Sequence, residues 1–493
     1  MADKILKNKT KIIFALLYLI LFLPNIYSIY YSVPASDDFA MALGRDAYGN
    51  SFFEFFAAVP FFFLQRGGTM VAFVFELLLN PLNLHIHLGH AYGLYMIITF
   101  LLCMAAILYG VKTIVKYMIR NHTESDLVAS VITFLTAVML IENYYYVEAY
   151  NWYVGMIAYP MNMAFMFLAA AYIIRFGQTG NKKFYIGAII TGTLAANTTA
   201  LDIPLGIFFL YIVLINKEFD KHISNLFKKY LPLLCYIIAG LIAVAAPGNF
   251  ARQSQYTEEV SVSNSVIQTI ADVKFFGMAV LKERSVTLII IAVLIIIGFA
   301  LSTGKKSKPG NIILYGIASA CIWMGCLLPY VYGRGMTRTY LDVRMQYVFD
   351  FLFEITICLG ALMIGQWIGY IVNANLEKFG YIVAAAVAVL GALALVVTGR
   401  YATTVAYEVY AKRAEIAASY DLWNGILLEI EQSTDEDVVV DRDYNVSWNK
   451  YFLYSGMEPG EVYAVDLDAF YDSQQILPNV YYAKKSITIN YPR

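Results

Sequence analysis

Ser36-Asp37-Asp38-Phe39 is the stretch around which the rest of the chain is organised. It follows directly after the first apolar run, residues 12–31, so two carboxylates stand where the chain is predicted to leave a membrane. We interpret Asp37 and Asp38 as the chemical centre, because a carboxylate at a membrane surface can act as a general base or as a metal ligand. The alternative is a helix cap before the turn at residues 40–43, which needs only one of the two acids.

The composition is that of a multi-pass membrane protein. Of the 493 residues, 60% are hydrophobic and only 14% are charged, and the mean hydropathy is +0.60, a balance that soluble domains of this size do not show. Because the net charge is −1 and no basic tail is present, we predict no nucleic-acid partner. Windows of roughly 20 apolar residues predict about eleven spans. We place them at residues 12–31, 91–111, 127–142, 154–174, 184–200, 201–216, 230–246, 286–303, 311–331, 346–372 and 380–399.

The basic residues predict the orientation in the membrane. With the N-terminus in the cytoplasm, the inner segments hold eighteen Lys and Arg residues, sixteen of them Lys, and the outer loops hold nine, seven of them Arg. This distribution follows the positive-inside rule. An odd number of spans then places the tail outside the cell, where alternating runs such as Asp437–Asp441 predict a small α/β module. We therefore predict an all-α membrane domain, residues 1–399, and an extracytoplasmic C-terminal domain, residues 400–493.

The first outer loop, residues 37–90, is too long for a simple turn. Its aromatic stretches 52–56 and 61–64 are typical of helices that lie in the membrane interface. The apolar run 71–79 is about nine residues long and too short to cross a bilayer as a helix. We expect one or two juxtamembrane helices in this loop.

Arginines gather on the side of the membrane where topology does not require them. An arginine can bind two phosphate oxygens at once and stays charged at physiological pH. The alternative for any one of them is a lipid headgroup or a surface salt bridge, for which Asp342 and Glu259 are nearby partners. For the group as a whole we predict a phosphate or diphosphate site at the outer leaflet. Its members are Arg66, Arg252, Arg334, Arg338 and Arg344.

Aromatic and polar side chains also cluster in the outer loops. Proteins hold sugar rings by stacking aromatic side chains on their apolar faces and by hydrogen bonding to their hydroxyl groups. Two structural alternatives exist. Residues 142–152 are also typical of an aromatic belt. A capped hairpin in which Pro204 opens the next helix accounts for Thr198 and Thr199, whereas Asn197 and Asp202 are expected to point inward, because polar groups near hydrocarbon are costly unless they face protein or water. The predicted sugar- or acceptor-binding residues are Glu148, Tyr150, Asn151, Trp152, Asn197, Asp202 and Asn249.

The sequence contains no certain cofactor motif. His85 and His87 have a spacing that suits one metal on a strand, and His90 follows them. This stretch leads straight into a helix, however, and no Cys or second acidic cluster adjoins it, so we favour a structural role. A P-loop, a dinucleotide glycine fingerprint and a nucleophile elbow are all absent from the sequence.

Taken together, the motifs resemble the GT-C superfamily of membrane glycosyltransferases, and more specifically a bacterial branch of it. The resemblance covers most of the membrane part, where an acidic pair follows the first span and about ten further spans are joined by short inner loops. It also covers the end of the tail. The motifs that carry it are Ser36-Asp37-Asp38-Phe39, Arg66-Gly67, Tyr150-Asn151-Trp152, Ala246-Pro247-Gly248-Asn249 followed by Arg252, and Tyr481-Tyr482-Ala483-Lys484-Lys485-Ser486-Ile487.

This resemblance implies a transferase in the bacterial cell membrane that moves a sugar from a polyprenyl-phosphate donor to a cell-envelope glycan or another extracytoplasmic acceptor. It gives Asp37 or Asp38 the role of base or metal ligand, and it is compatible with a divalent metal such as Mg or Mn. The transfer is expected to invert the configuration at the anomeric carbon. Two alternatives are a transporter or flippase of a lipid-linked saccharide, although the sequence lacks the internal repeat typical of many transporters, and a non-catalytic scaffold in a wall-assembly complex.

Overall fold

Most of the described chain is helical. The computed structural model describes residues 2–35, 37–42, 54–120, 125–143, 145–198, 200–254, 261–302, 310–334, 343–372, 376–443, 446, 449–454, 457, 462–463 and 481–490. The side chains of residues 2–8, 54, 57, 252, 334 and 463 lie outside this description.

The helices follow the apolar segments of the sequence. The first ten are α1 Ala2–Tyr30, α2 Asp37–Ala40, α3 Glu54–Gln65, α4 Met70–Leu78, α5 His90–Met118, α6 Ser125–Leu140, α7 Tyr146–Tyr150, α8 Tyr153–Met156, α9 Asn162–Thr179 and α10 Lys182–Ala196. The next eight are α11 Asp202–Leu210, α12 Leu226–Val244, α13 Pro247–Gln253, α14 Val262–Glu283, α15 Ser285–Ser302, α16 Ile312–Arg334, α17 Val343–Ile371 and α18 Glu377–Val397. Two π-helical segments, Ile157–Met161 and Tyr211–Ile215, join α8 to α9 and extend α11.

Eight helical segments of the described chain are long and apolar enough to cross a membrane. They are Lys9–Tyr30, His90–Met118, Tyr153–Thr179, Leu226–Val244, Ser285–Ser302, Ile312–Gly333, Val343–Ile371 and Glu377–Val397. The other three predicted spans fall on the shorter helices α6, α10 and α11, which have 16, 15 and 9 residues. The helices therefore support a multi-pass membrane protein, whereas the count of eleven spans and the orientation stay predictions.

Helix α17 is the most buried of these segments and lies at the centre of the bundle. It packs closely against α15, where Gly365 lets the two backbones approach. A Cβ atom at Gly365 would lie 1.9 Å from the carbonyl oxygen of Ile295, so only glycine fits. Small residues at such crossings are how helices pack tightly inside membranes.

The segment between α1 and α5 folds into short helices. After α2, α3 has 12 residues and α4 has 9, and they stand where we predicted one or two juxtamembrane helices. Arg66, Gly67 and Gly68 form the turn between α3 and α4. A short 3₁₀ helix, Pro81–Leu84, then leads to α5.

The tail combines helices with a small sheet, as the sequence predicted. It contains a 3₁₀ helix Arg400–Thr403, α19 Val405–Ala411, α20 Arg413–Gln432, β1 Asp437–Asp441, β2 Val462–Tyr463 and β3 Ser486–Asn490. The strand order is β1-β3-β2, with β1 parallel and β2 antiparallel to β3. The tail packs against the end of α1: Ser28 Oγ donates to the carbonyl of Tyr451 at 2.7 Å, and His90 stacks between the rings of Tyr30 and Tyr420.

Candidate functional site

Charged side chains from distant parts of the sequence line one cavity of about 300 Å³. The cavity lies between the segment that joins α1 to α5, the segment before α8, and the ends of α12, α16 and α17. Its charged lining residues are Asp37, Arg66, Glu76 and Arg344, and Trp152 and Asn249 also line it. Five residues of the predicted site are thus brought together, and Glu76 joins them.

Asp37 and Arg66 lie opposite each other at the ends of two short helices, α2 and α3. Asp37 is the first residue of α2, and Arg66 follows α3, so both side chains leave the backbone at helix ends. Oδ1 of Asp37 lies 3.7 Å from Nη1 of Arg66, which is an ion-pair distance but longer than a hydrogen bond. The guanidinium of Arg66 also lies 5.6 Å from the ring centre of Phe62, which supports it from one side.

Asp38 lies outside the cavity, although it is next to Asp37 in sequence. Its side chain is fully buried. Oδ2 accepts hydrogen bonds from the backbone N–H of Ala35 at 3.0 Å and from the hydroxyl of Tyr92 at 2.7 Å, and Oδ1 accepts one from the backbone N–H of Val154 at 3.1 Å. Burial raises the pKa of Asp38 to about 7, because the loss of water outweighs these donors. The geometry therefore gives Asp38 a positioning role.

The surroundings of Asp38 join α2 to three other parts of the chain. Tyr92 donates to Asp38 and accepts a hydrogen bond from the backbone N–H of Tyr153 at 3.1 Å. The side-chain amide of Asn80 donates to the backbone carbonyl of Asp38 at 2.8 Å. Since Tyr92 and Tyr153 begin or nearly begin membrane helices, Asp38 fixes α2 to the ends of α5 and α8.

Glu76 is the site residue that sequence reasoning missed. It is 2% exposed and lies in α4, and its side chain lines the cavity. Burial raises the pKa of Glu76 to about 8; the charge of Asp37 adds to this rise, and Arg66 opposes it. The available signal was a single acid in the apolar run Met70–Leu78, because a carboxylate in such a run is costly unless it faces protein or water.

Arg344 and Trp152 form another wall of this cavity, in which Arg344 carries a positive charge. The indole N–H of Trp152 donates to the carbonyl of Ala35 at 3.0 Å, which fixes the ring just before α2. The guanidinium of Arg344, in the first turn of α17, lies 5.2 Å from the ring centre of Trp152. A cation over an aromatic face at this distance is attracted to it. The pair therefore holds a positive charge at the cavity wall.

Asn249 and Gly248 bring α12 and α13 to the turn at Arg66. The side-chain amide of Asn249 donates to the carbonyls of Ala243 and Val244 at the end of α12, at 2.6 and 3.0 Å. A Cβ atom at Gly248 would lie 2.6 Å from the backbone nitrogen of Arg66. The predicted motif at 246–249 is therefore a close backbone contact that places the Arg66 turn.

Five of the predicted sugar- or acceptor-binding residues do not line the cavity. Tyr150 accepts a hydrogen bond from the hydroxyl of Tyr347 at 2.8 Å, and the amide of Asn151 donates to Ser28. Both lie in the buried core. The remaining three are placed as follows: Asn197 accepts from the backbone N–H of Val71 and donates to the carbonyl of Ala239, Asp202 accepts from the backbone N–H of Ile203, and Glu148 is half-buried in α7.

The side chains of three predicted phosphate-binding arginines lie outside the described residues. The backbones of Arg252 and Arg334 lie in α13 and α16, next to Gln253 and Gly333, which line the cavity. Their side chains lie outside the described residues, and Arg338 lies outside them altogether. Of the predicted phosphate site, the structure thus brings Arg66 and Arg344 to one cavity.

The described part of the chain contains no group of three or more His, Cys, Asp or Glu side chains that could hold a metal ion. The three histidines near α5 make other contacts. His90 stacks between two tyrosine rings, Nε2 of His87 lies 3.0 Å from Oδ1 of Asn424, and the ring of His85 stacks on Tyr481. These contacts give the histidines a role in docking the tail.

A second cavity, of about 310 Å³, lies between α5, α9, α11, α16 and α17. Its lining is mainly apolar, and Arg120 is the one charged residue among the described residues that form it. Nη1 of Arg120 donates to Oε1 of Glu218 at 2.7 Å. Glu218 does not line the second cavity, so among the described lining residues no acid faces Arg120 there, whereas Asp37 and Arg66 both line the first cavity.

A buried ionic cluster also ties α15 to α17. Nη1 of Arg284 donates to Oε1 of Glu354 at 2.8 Å, and Nη2 donates to Oδ2 of Asp350 at 2.5 Å. Arg284 precedes α15, and the two acids lie in α17. Since α17 also carries Arg344, the cluster holds in place the helix that carries one wall of the first cavity.

The chain matches no protein family model, and no curated protein or solved structure shows significant similarity to it.

Proposed function

We propose that this protein is a membrane glycosyltransferase of the GT-C type, which moves a sugar from a polyprenyl-phosphate donor to a cell-envelope glycan or another extracytoplasmic acceptor. The observation that carries the proposal is the pairing of charges in the first cavity. Two acidic side chains, the carboxylate of Asp37 and the buried carboxyl group of Glu76, line the same space as two guanidinium groups, those of Arg66 and Arg344. Its volume of about 300 Å³ is at the small end of ligand sites, which suits a sugar and a phosphate.

In the proposed reaction, the acceptor hydroxyl attacks the anomeric carbon from the side opposite the phosphate. A new C–O bond forms, the bond between the anomeric carbon and the phosphate oxygen breaks, and the electron pair leaves with the phosphate. Asp37 takes the hydroxyl proton as general base, because its carboxylate lines the cavity whereas that of Asp38 does not. Attack from the opposite side inverts the configuration of the sugar.

Arg66 and Arg344 bind the donor phosphate and stabilise its charge as it leaves. Guanidinium groups suit this task, because their planar forks match phosphate oxygens and they keep their charge. Charge stabilisation of this kind is usually the largest contribution to a transfer reaction. The ring of Trp152, which Arg344 covers on one face, fixes the distance between that charge and α2.

Glu76 supplies a proton-bearing carboxyl group in this proposal. With its pKa raised to about 8 by burial, it is largely neutral at pH 7. A neutral carboxyl group donates one hydrogen bond and accepts others. It therefore suits a contact with a sugar hydroxyl, without adding negative charge near the phosphate.

A transfer assay tests the proposal. The purified full chain in liposomes is given a panel of labelled polyprenyl-phosphate hexoses together with a bacterial envelope fraction, and released polyprenyl phosphate and labelled polymer are measured. We expect both products with the native chain and a rate about 10²- to 10⁴-fold lower with Asp37→Asn, while Asp435→Asn, an exposed acid in the tail, retains activity. Movement of labelled lipid between the leaflets with no new glycosidic bond would instead support the flippase alternative.

A further inference from the structure

The tail reaches the acidic helix α2 through two tyrosines. Phe39, the residue after Asp38, is 3% exposed. The ring centres of Tyr481 and Tyr482 lie 5.5 and 5.8 Å from that of Phe39, and the two tyrosine rings pack edge to face at 4.8 Å. Three aromatic rings from opposite ends of the chain thus form one cluster, which we call the Phe39 clamp, directly next to the acidic pair.

A chain of hydrogen bonds provides a second connection between the tail and α2. The hydroxyl of Tyr481 donates to the backbone carbonyl of Leu82 at 3.2 Å. The backbone N–H of Leu82 donates to Oδ1 of Asn80 at 3.0 Å, and the amide of Asn80 donates to the carbonyl of Asp38 at 2.8 Å. The tail therefore contacts α2 both through packing and through the turn before α5.

The two tyrosines are themselves fixed to the sheet of the tail. The ammonium group of Lys484 donates to the carbonyls of Ser433 and Asp435, at 2.5 and 3.1 Å. The backbone N–H of Lys485 donates to the carbonyl of Glu436 at 2.8 Å. Directly after these residues, β3 pairs along its whole length with β1. The tyrosines are thus held by a rigid element, which makes them suitable for positioning a helix of only four residues.

We propose that Tyr481 and Tyr482 are positioning residues that hold α2, and with it Asp37, in place for the reaction. Helix α2 has only four residues and is too short to be stable alone, so its orientation depends on what packs against it. The tail then completes the site from outside the membrane part. The activity readout of this proposal rests on the proposed transfer reaction, whereas the structural readout does not.

Two measurements on the full chain test the clamp. The first is backbone amide exchange of residues 37–41, in which the N–H of Met41 is bonded to the carbonyl of Asp37 at 2.8 Å. For Tyr482→Leu we expect exchange about tenfold faster than in the native chain, because the helix opens locally more often. The second is the transfer assay, in which we expect kcat to fall about 10- to 100-fold, since a small misplacement of a reacting group has effects of this size. KM for the donor should change little, because Arg66 and Arg344 are untouched.

Two controls separate positioning from general damage to the tail. Tyr482→Phe keeps the ring and should restore both kcat and exchange. Phe452→Leu removes another buried ring of the tail, which packs edge to face against Tyr454 and not against Phe39, and should leave both readouts at native values. Native exchange in Tyr482→Leu, or equal effects in Phe452→Leu, would overturn the clamp. Absence of transfer by the native chain would count against the proposed function, while the exchange data would still decide whether the clamp exists.

Discussion

Oδ1 of Asp37 lies 3.7 Å from Nη1 of Arg66, and both side chains line the same cavity. The distance is short enough for attraction and too long for a full hydrogen bond. Arg66 therefore keeps donors for a phosphate, and Asp37 keeps lone pairs for a proton. Asp38, one residue further on, has three donors on its carboxylate and lies outside the cavity. The two acids of one motif thus have separate environments.

The first prediction concerns Asp37. Asn has nearly the same shape as Asp but cannot take a proton at neutral pH, so Asp37→Asn should lower kcat by about 10²- to 10⁴-fold, the usual contribution of a general base. The apparent melting temperature in detergent should stay near the native value, because the ion pair with Arg66 is long. Native turnover by Asp37→Asn would reject Asp37 as the base.

The second prediction concerns Asp38. Asp38→Ala leaves three hydrogen-bond donors without their acceptor, among them the buried hydroxyl of Tyr92. Each unsatisfied buried group costs about 1–3 kcal/mol, so we expect a clearly lower melting temperature, measured by thermal unfolding in detergent. Asp38→Asn, which keeps one acceptor oxygen, should lie between Asp38→Ala and the native chain. A native melting temperature for Asp38→Ala would contradict the structural role given to this residue.

The third prediction concerns pH. The pKa of Glu76 is raised from 4.5 to about 8 and that of Asp38 from 3.8 to about 7, in both cases mainly by burial. Between the ordinary and the raised values, the folded chain binds more protons than the unfolded chain, so the free energy of unfolding falls as pH rises. The loss is about 1.4 kcal/mol per pH unit for each group in its window and levels off above its raised pKa.

Melting curves between pH 5.5 and 9 check this expectation. The melting temperature of the native chain should fall as pH rises from about 5.5 to about 8, the window set by the two raised pKa values. Glu76→Gln, which cannot ionise, should fall less steeply and should be more stable than the native chain at the alkaline end. Parallel curves for the two proteins would show that Glu76 does not carry the pH dependence.

The fourth prediction concerns donor binding. Arg344→Lys keeps the charge but loses the planar fork and its contact with Trp152. We expect KM for the polyprenyl-phosphate sugar to rise by about 10- to 100-fold, the value of one or two charge-assisted hydrogen bonds. Arg175→Lys is the matched control, since Arg175 lies over the rings of Tyr109 and Phe184 and does not line the cavity. An equal effect of both variants would indicate a loss of packing rather than of phosphate binding.

The sequence predicted the class of fold because long apolar runs leave few options, and it predicted the tail because its alternating strands differ from the membrane helices. Asp37 could be selected because it follows the first apolar run directly, and Arg66 and Arg344 could be selected because they lie where the positive-inside rule does not require basic residues. The sequence could not separate Asp37 from Asp38, since only the side-chain directions of a four-residue helix do so. Tyr150 and Asn197 were predicted to bind ligand, but they bond to the protein itself, and a motif does not reveal which way a polar side chain points.

The fifth prediction tests the backbone contact that brings Arg66 to the cavity. A Cβ atom at Gly68 would lie 1.9 Å from the carbonyl oxygen of Ala243, so Gly68→Ala must push the turn after α3 away from α12. Arg66 moves with this turn, and its position relative to Asp37 changes. We therefore expect a lower melting temperature and weaker donor binding, measured as KM. Gly316→Ala is the control, because nothing lies within 4 Å of its Cβ position; in a helix this change should be neutral or stabilise by about 1 kcal/mol. If Gly68→Ala matched Gly316→Ala in both measurements, the close packing of the Arg66 turn on α12 would not be what positions this arginine.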